Sequence, residues 1–249
     1  MKNEKLAESK ELVSRILYRD ENCVVVNKIA GEACEGAAKG MIDLPGLLAA
    51  EFPPPEKDAL AMPTAVHRLD VPVSGCAVFA RTGTALRFLN NVFRGDTVKK
   101  YYWAIIEQPR DNNFFSENTA ESIEMVHWIQ FNSRQNKSIA HDQPGPDRKK
   151  AILRCRLMGR GQNYLFLEIE LITGRHHQIR AQFARAGLHI KGDLKYGAKR
   201  SEQNGGIRLH ARSLSFPDPS GSGNNITIQA DPPIRDNLWQ AVYSHLRKH

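Results

Sequence analysis

The strongest constraint on the fold is a series of short apolar runs, each too brief for a helix and rich in β-branched or aromatic residues. Cys23–Lys28 (CVVVNK) and Cys76–Ala80 (CAVFA) read as buried strands, and Val98–Ile106 as an aromatic, β-branched one. Tyr164–Ile172 alternates with a period of two, with Leu165, Leu167, Ile169 and Leu171 on one face and Glu168 and Glu170 on the other, the pattern of a half-buried strand. Further strands are expected at Ile207–Phe216 and Ile226–Gln229. Helical signals are fewer. Thr84–Phe93 places Leu86, Leu89 and Phe93 on one face and stops at Gly95; His176–Ala186, with Ile179 and Phe183 four apart, stops at Gly187. An amphipathic helix over Ile234–Leu246 carries Leu238, Trp239 and Val242. Strands outnumber helices and do not alternate strictly with them. This predicts an α+β fold, a mixed and mainly antiparallel sheet with flanking helices, over a doubly wound one.

The organisation along the 249 residues is simple. Residues 1–14 read as an N-terminal extension, helical or frayed, and 15–249 as one domain. Residues 108–150 are polar and irregular, with an apolar island at Met125–Phe131 and a turn at Pro144-Gly145-Pro146, the marks of a hairpin excursion. No apolar run approaches the ~20 residues that span a bilayer. The N-terminus mixes both charge signs without a signal-peptide core. Cys23, Cys34, Cys76 and Cys155 are far apart and read as reduced, buried residues of a cytoplasmic protein. Charge is uneven. From Arg148 to Arg212 there are 15 Lys and Arg against four acids, a net of +11, while the rest carries 20 basic and 23 acidic residues, a net of −3. Such a block suits either a polyanionic partner or a solubilising surface.

Nucleotide, zincin and nucleophile-elbow signatures are missing. His176, His177, His189 and His210 raise a metal hypothesis, but adjacent histidines on a helix point about 100° apart and carboxylates are scarce nearby, so no metal is expected. Three segments are more informative. In Ala65–Gly75 (AVHRLDVPVSG) the single acid, Asp70, stands beside His67 and Arg68 between Pro63 and Pro72. A stiff turn and basic neighbours hold such a carboxylate in place and ionised, although a turn Asp bonding its own backbone gives the same pattern. In Thr173–Arg180 (TGRHHQIR) the two arginines, five residues apart, leave the helix start on different faces. One is placed to meet RNA phosphate while the other turns inward to an anionic partner, for which Asp70 is a candidate; two exposed arginines are the plainer reading. In Lys100–Ala104 (KYYWA), Lys100 and Tyr102 share a face opposite Tyr101 and Trp103, where simple aromatic packing is the alternative.

Together these segments resemble the RluA family of pseudouridine synthases. His67-Arg68-Leu69-Asp70 with Ser74-Gly75 resembles the family's H-R-L-D-x-x-[T]-S-G segment, Lys100-x-Tyr102-x-Ala104 its K-x-Y-x-A strand, and Gly174-Arg175-x-His177-Gln178-Ile179-Arg180 its G-R-x-H-Q-I-R segment. Gly192-Asp193 with Tyr196-Gly197, and Leu209-His210-Ala211 ahead of Leu214-x-Phe216, also match, so the resemblance runs from residue 15 to about 217. The chain departs from it with Lys28-Ile29-Ala30-Gly31 in place of K-P-x-G, and with Val73 and His176 where Thr or Ser is usual. No separate N-terminal S4-like domain is expected. The resemblance implies a cofactor-independent isomerase acting on uridines of tRNA or rRNA, as a monomer, after flipping the base. It implies Asp70 as catalytic carboxylate, Arg180 as its partner, and Tyr102 stacking on the base and taking part in C5 deprotonation. It further implies RNA contacts from Arg68, His67, Arg175, His177, Ile179 and Lys100. Arg68 would fill the space the base vacates, His67 would orient the turn and Ile179 would pack against the pocket. A non-catalytic RNA-binding protein on the same scaffold and a histidine-based metal hydrolase are the competing classes.

Overall fold

The computed structural model describes residues 11–38, 41–109, 114–115, 121–202, 205–233 and 236–246. Most of the N-terminal extension, residues 1–10, lies outside them; residues 11–14 form a helical turn that buries Leu12. The chain folds as two compact units, one of Met1–Lys99 with Ala211–Pro233 and one of Lys100–His210 with Ile234–His249.

In the first unit, strands β1 (Ile16–Arg19), β2 (Cys23–Lys28), β3 (Glu32–Ala33) and β4 (Ile42–Asp43) lead to helix α1 (Leu44–Glu51), then β5 (Ala59–Ala65), β6 (Ser74–Thr82) and helix α2 (Gly83–Arg94). β1 pairs with β2 and β2 with β6, both antiparallel, while β5 runs antiparallel along the far end of β6. Every residue of β6 is buried, which is why CAVFA reads as an unbroken apolar run. α2 begins where Thr82 accepts from the Ala85 N–H at 3.2 Å and ends at Gly95. It buries Ala85 and Leu89 against Val25, Val78 and Phe216, with Leu86 and Phe93 packed at the margin.

The second unit holds β7 (Lys99–Glu107, from Lys100), β8 (Ser122–Asn132), β9 (Lys137–His141), β10 (Arg148–Arg160), β11 (Tyr164–Leu171) and helix α3 (Gln178–Arg185). Its antiparallel order is β7-β11-β10-β8-β9, and β8–β9 is the hairpin expected within 108–150. The chain then returns along β12 (Leu209–Pro217) to the first unit, where β13 (Asn225–Gln229) pairs with it. It closes on helix α4 (Asn237–Leu246), which seats Trp239 and Val242 against Trp103, Ile105, Met158 and Phe166 of the second unit. The architecture is the expected α+β arrangement with a mixed, mainly antiparallel sheet.

The chain just after the Asp70 loop is confined by its backbone. Gly75 has φ +116°, and a Cβ there would lie 2.3 Å from the Ala211 carbonyl oxygen. Gly75→Ala should therefore cost about 2–3 kcal/mol or more, from combined strain and overlap, read as a lowered denaturant midpoint with an unchanged slope.

Candidate active site

Asp70 sits in a half-buried turn between β5 and β6 whose carbonyls face one cation. Lys28, the last residue of β2, is 0% exposed, and its ammonium donates to the backbone oxygens of Val73 (2.7 Å), Val71 (3.0 Å), Ile29 (3.0 Å) and Asp70 (3.3 Å). The turn is closed by Val73 N–H to the Asp70 carbonyl at 2.9 Å and braced by Gly31 N–H to the Val71 carbonyl at 2.9 Å. Gly31, at φ +97°, turns the chain to make that contact. Behind the lysine, buried Glu32 takes a bidentate pair from Arg15 (2.8 and 3.0 Å) and the Ile29 N–H at 2.9 Å. Burial pulls the Lys28 pKa down to about 8, against the attraction of Cys34, Glu32 and Asp70 and with a further push from Arg15.

His67 and Arg68, expected as RNA contacts, occupy different positions in this loop. His67 stacks on Phe93 with ring centroids 5.1 Å apart, and its Nε2 accepts from Val78 N–H at 3.3 Å, a geometry that orients the turn. Arg68 is exposed and reaches Glu35 at 2.7 Å.

The second unit brings the other two segments together. On β7, Tyr102 is buried, and the Lys100 ammonium, its pKa lowered by burial, lies beside Gly174: a Cβ there would be 3.9 Å from it. Trp103, on the opposite face, packs under α4. The Gly174 turn is fixed by Gln178, whose side-chain oxygen accepts from Thr173 Oγ1 (2.7 Å) and Arg175 N–H (3.0 Å). Arg175 is exposed, with Nε on the Lys150 carbonyl, whereas Arg180 is 4% exposed, so the two arginines do diverge. Ile179 is buried beside Arg180.

Arg180 has a partner that the sequence reading did not weigh. Its Nε and Nη2 donate to the two carboxylate oxygens of buried Asp193 at 2.7 and 2.9 Å, and its guanidinium lies 4.8 Å from the centre of the Tyr196 ring. The signal was that Asp193 is one of just four acids in the basic block. Tyr196 is fixed in turn: its hydroxyl accepts from Ser138 N–H (2.9 Å), donates to the Ser138 carbonyl (3.1 Å) and lies 2.9 Å from His177 Nδ1.

Two expectations need correction. The helix begins at Gln178, because His177 takes a left-handed conformation at φ 51°. His176 and His177 therefore precede it and do not splay: their rings stack at 3.8 Å and 24°. The basic block is also less available to RNA than its count suggests. Arg154, Arg156, Arg180, Arg185, Lys191, Arg208 and Arg212 are all in ion pairs, to Glu124, Glu168, Asp193, Asp142, Glu202 and Asp231 among others. Among the described residues no three His, Cys, Asp or Glu side chains gather closely enough to hold a metal ion. No described helix is long and apolar enough to cross a membrane.

A family model described as RNA pseudouridylate synthase matches residues 22–185, so the chain belongs to that family, in its RluA-type branch, and is a pseudouridine synthase, an isomerase. It is 30% identical over 207 residues to an RNA pseudouridine synthase of Zymomonas mobilis, covering 82% of this chain and 88% of that protein. It is 27% identical to ribosomal large subunit pseudouridine synthase C of Vibrio parahaemolyticus, covering 98% of this chain and 73% of that one. The structure of human RNA pseudouridylate synthase domain containing 4 superposes with a TM-score of 0.68 at 20% identity, over 99% of this chain and 98% of that one, and so shares the fold.

Deprotonation of Lys28 acts in opposite directions on the order of the Asp70 turn and on folding as pH rises. Above about pH 8 the neutral amine keeps two donors for four carbonyls, so turnover should fall along a limb with that midpoint. Folding moves the other way. The unfolded chain binds the more tightly held proton, so this group's contribution to stability rises with pH between about 8 and the ordinary lysine value, by at most about 1.4 kcal/mol per unit. Paired pH profiles of kcat and of urea unfolding, for the wild type and Lys28→Met, check both signs.

Proposed function

We propose that the protein isomerises specific uridines of structured RNA, tRNA or rRNA, to pseudouridine, with Asp70 as the catalytic carboxylate and residues 15–249 as the catalytic domain. The supporting observation is the Asp70 turn itself, held through its backbone by Lys28 and Gly31, a construction that fixes where a carboxylate points. The reaction breaks the C1′–N1 bond, turns the base, joins C5 to C1′, releases the C5 proton and places one on N1. It is an isomerisation, with no net oxidation. Asp70 begins it either by attacking C1′ or by taking a 2′ proton.

Arg180 carries five N–H donors in a planar fork, two of which go to Asp193, a geometry suited to holding carboxylates in a fixed orientation. In this reading it also orients Asp70. Tyr102 stacks on the base and takes part in removing the C5 proton. The target base leaves its stack to reach Asp70, and exposed Arg68 fills the gap. Lys100, Arg175, His177 and Ile179 are assigned to contacts with the RNA, and His67 to holding the turn. The name of the Vibrio relative makes large-subunit rRNA the first RNA to test.

Tritium release from RNA labelled at uridine C5 tests the assignment. Asp70→Ala should abolish release, by at least about 1000-fold, while RNA affinity stays within about threefold of wild type; these bounds are order-of-magnitude expectations for loss of the reacting group alone. Release at the normal rate from Asp70→Ala would remove Asp70 from the mechanism. Arg180→Lys keeps the charge and loses the planar fork, and its kcat should fall about 10- to 100-fold at near-normal RNA affinity. Mapping pseudouridines in RNA from cells with and without the protein identifies the substrate.

A further inference from the structure

One exposed aromatic in the second unit has no part in the chemistry above. Phe131, near the tip of the β8–β9 hairpin, is 51% exposed, and its ring meets that of His176 edge-on with centroids 4.5 Å apart. His176 is held in place: its Nδ1 lies 2.9 Å from Ser138 Oγ on β9, and its other face stacks on His177. His177 in turn lies 2.9 Å from the anchored Tyr196 hydroxyl. The exposed phenyl ring is thus the outermost member of a row of rings fixed before any ligand arrives.

The surroundings are cationic. Between Phe131 and His141 the chain has no carboxylate, and the next residue, Asp142, is engaged in a bidentate pair with Arg185. Arg134 is exposed at the hairpin turn, and Lys195 crosses to the same turn, where its ammonium donates to the Asn136 carbonyl at 2.7 Å. The Lys137 ammonium lies 5.0 Å from the Tyr196 ring. None of these three cations is in an ion pair among the described residues. A fixed aromatic face with cations around it matches the chemistry of single-stranded nucleic acid, in which each base offers a π-face and each linkage a phosphate. A paired duplex offers the phosphates but hides the base faces.

We propose that Phe131, backed by His176, is a stacking platform for one unpaired base of the RNA, and that Arg134, Lys137 and Lys195 hold the phosphates flanking it. The inference rests on the RNA-modifying reading above and assigns a role to both the hairpin excursion and the histidine at position 176. It makes the enzyme select target uridines that have an unpaired nucleotide within reach of the hairpin.

The probes are a fluorescein-labelled single-stranded oligouridylate and a blunt RNA duplex, each titrated over a range of salt. Phe131→Ala should raise Kd for the oligouridylate by about 5- to 150-fold, the usual range for loss of one stacked base, and leave the duplex within about twofold. The slope of log K against log salt should not change, because no cation is lost. Phe131→Trp should restore binding. Arg134→Ala should weaken both probes and reduce the salt slope by about one. Denaturant unfolding of Phe131→Ala should match wild type, since the ring is half exposed. Equal oligouridylate affinity for wild type and Phe131→Ala, or equal losses on both probes, would overturn the platform. Tritium release by the wild type keeps the two proposals apart. An active enzyme indifferent to Phe131→Ala loses the platform alone, whereas a wild type inactive on every RNA loses the functional reading itself.

Discussion

An ammonium group taken fully out of water is destabilising unless every proton finds an oxygen. Lys28 meets that condition with four backbone carbonyls, three of them from the Asp70 turn. The dependence is mutual. The Asp70, Val71 and Val73 carbonyls turn towards the lysine, and a carbonyl buried without a donor is itself unfavourable, though less so than an unpaired buried charge. The Asp70 and Val71 carbonyls also take the Val73 and Gly31 N–H groups, and the Val73 carbonyl takes the lysine at 2.7 Å, so backbone and buried cation together set the position of Asp70. Burial loosens the proton on that cation, which ties the rigidity of the turn to pH.

Charge does the same kind of work in the second unit. Arg180 could not be buried without Asp193, and Asp193 could not be buried without Arg180; the Tyr196 ring under the guanidinium restricts it further. Arg154 and Arg156 on β10 are likewise matched to Glu124, Glu170 and Glu168 on the strands to either side. Much of the +11 therefore serves architecture. What is left of the block for a polyanion is a smaller set that includes Arg175 and Lys195, to which the hairpin adds Arg134 and Lys137 from outside it.

This division explains what was legible in the sequence. Strands β2, β6, β7 and β11 are carried by runs of apolar side chains, and a one-dimensional pattern records them well. β10 leaves a weaker trace because its inward Ala151, Leu153, Cys155 and Leu157 are interleaved with Ile152, Arg154 and Arg156, and the cations look like surface until their partners are known. α1 is a short helix announced only by Asp43 as its cap and Pro45 in its first turn. Asp70, Tyr102 and Arg180 were visible as candidates because they lie in local motifs. The carbonyl clamp was not, because Lys28 and Asp70 are 42 residues apart and backbone acceptors leave no trace in residue types. Asp193 was visible as a rare acid in a basic block, but which arginine it served required three dimensions.

The departures from the family pattern can now be read physically. Where K-P-x-G would put proline, Ile29 has an N–H, and it donates to buried Glu32 at 2.9 Å, a bond that proline cannot make. Val73 replaces a hydroxyl residue, yet Lys28 binds its backbone oxygen, so the clamp is indifferent to the change, and a buried isopropyl group there needs no partner. Both substitutions fall where the backbone does the holding. His176 is different: its side chain makes the contact to Ser138 and the two ring contacts that connect the hairpin to the segment bearing Arg180. The scaffold around Asp70 thus tolerates changes of side chain, whereas the change at position 176 creates contacts, and it does so on the face where the hairpin cations gather.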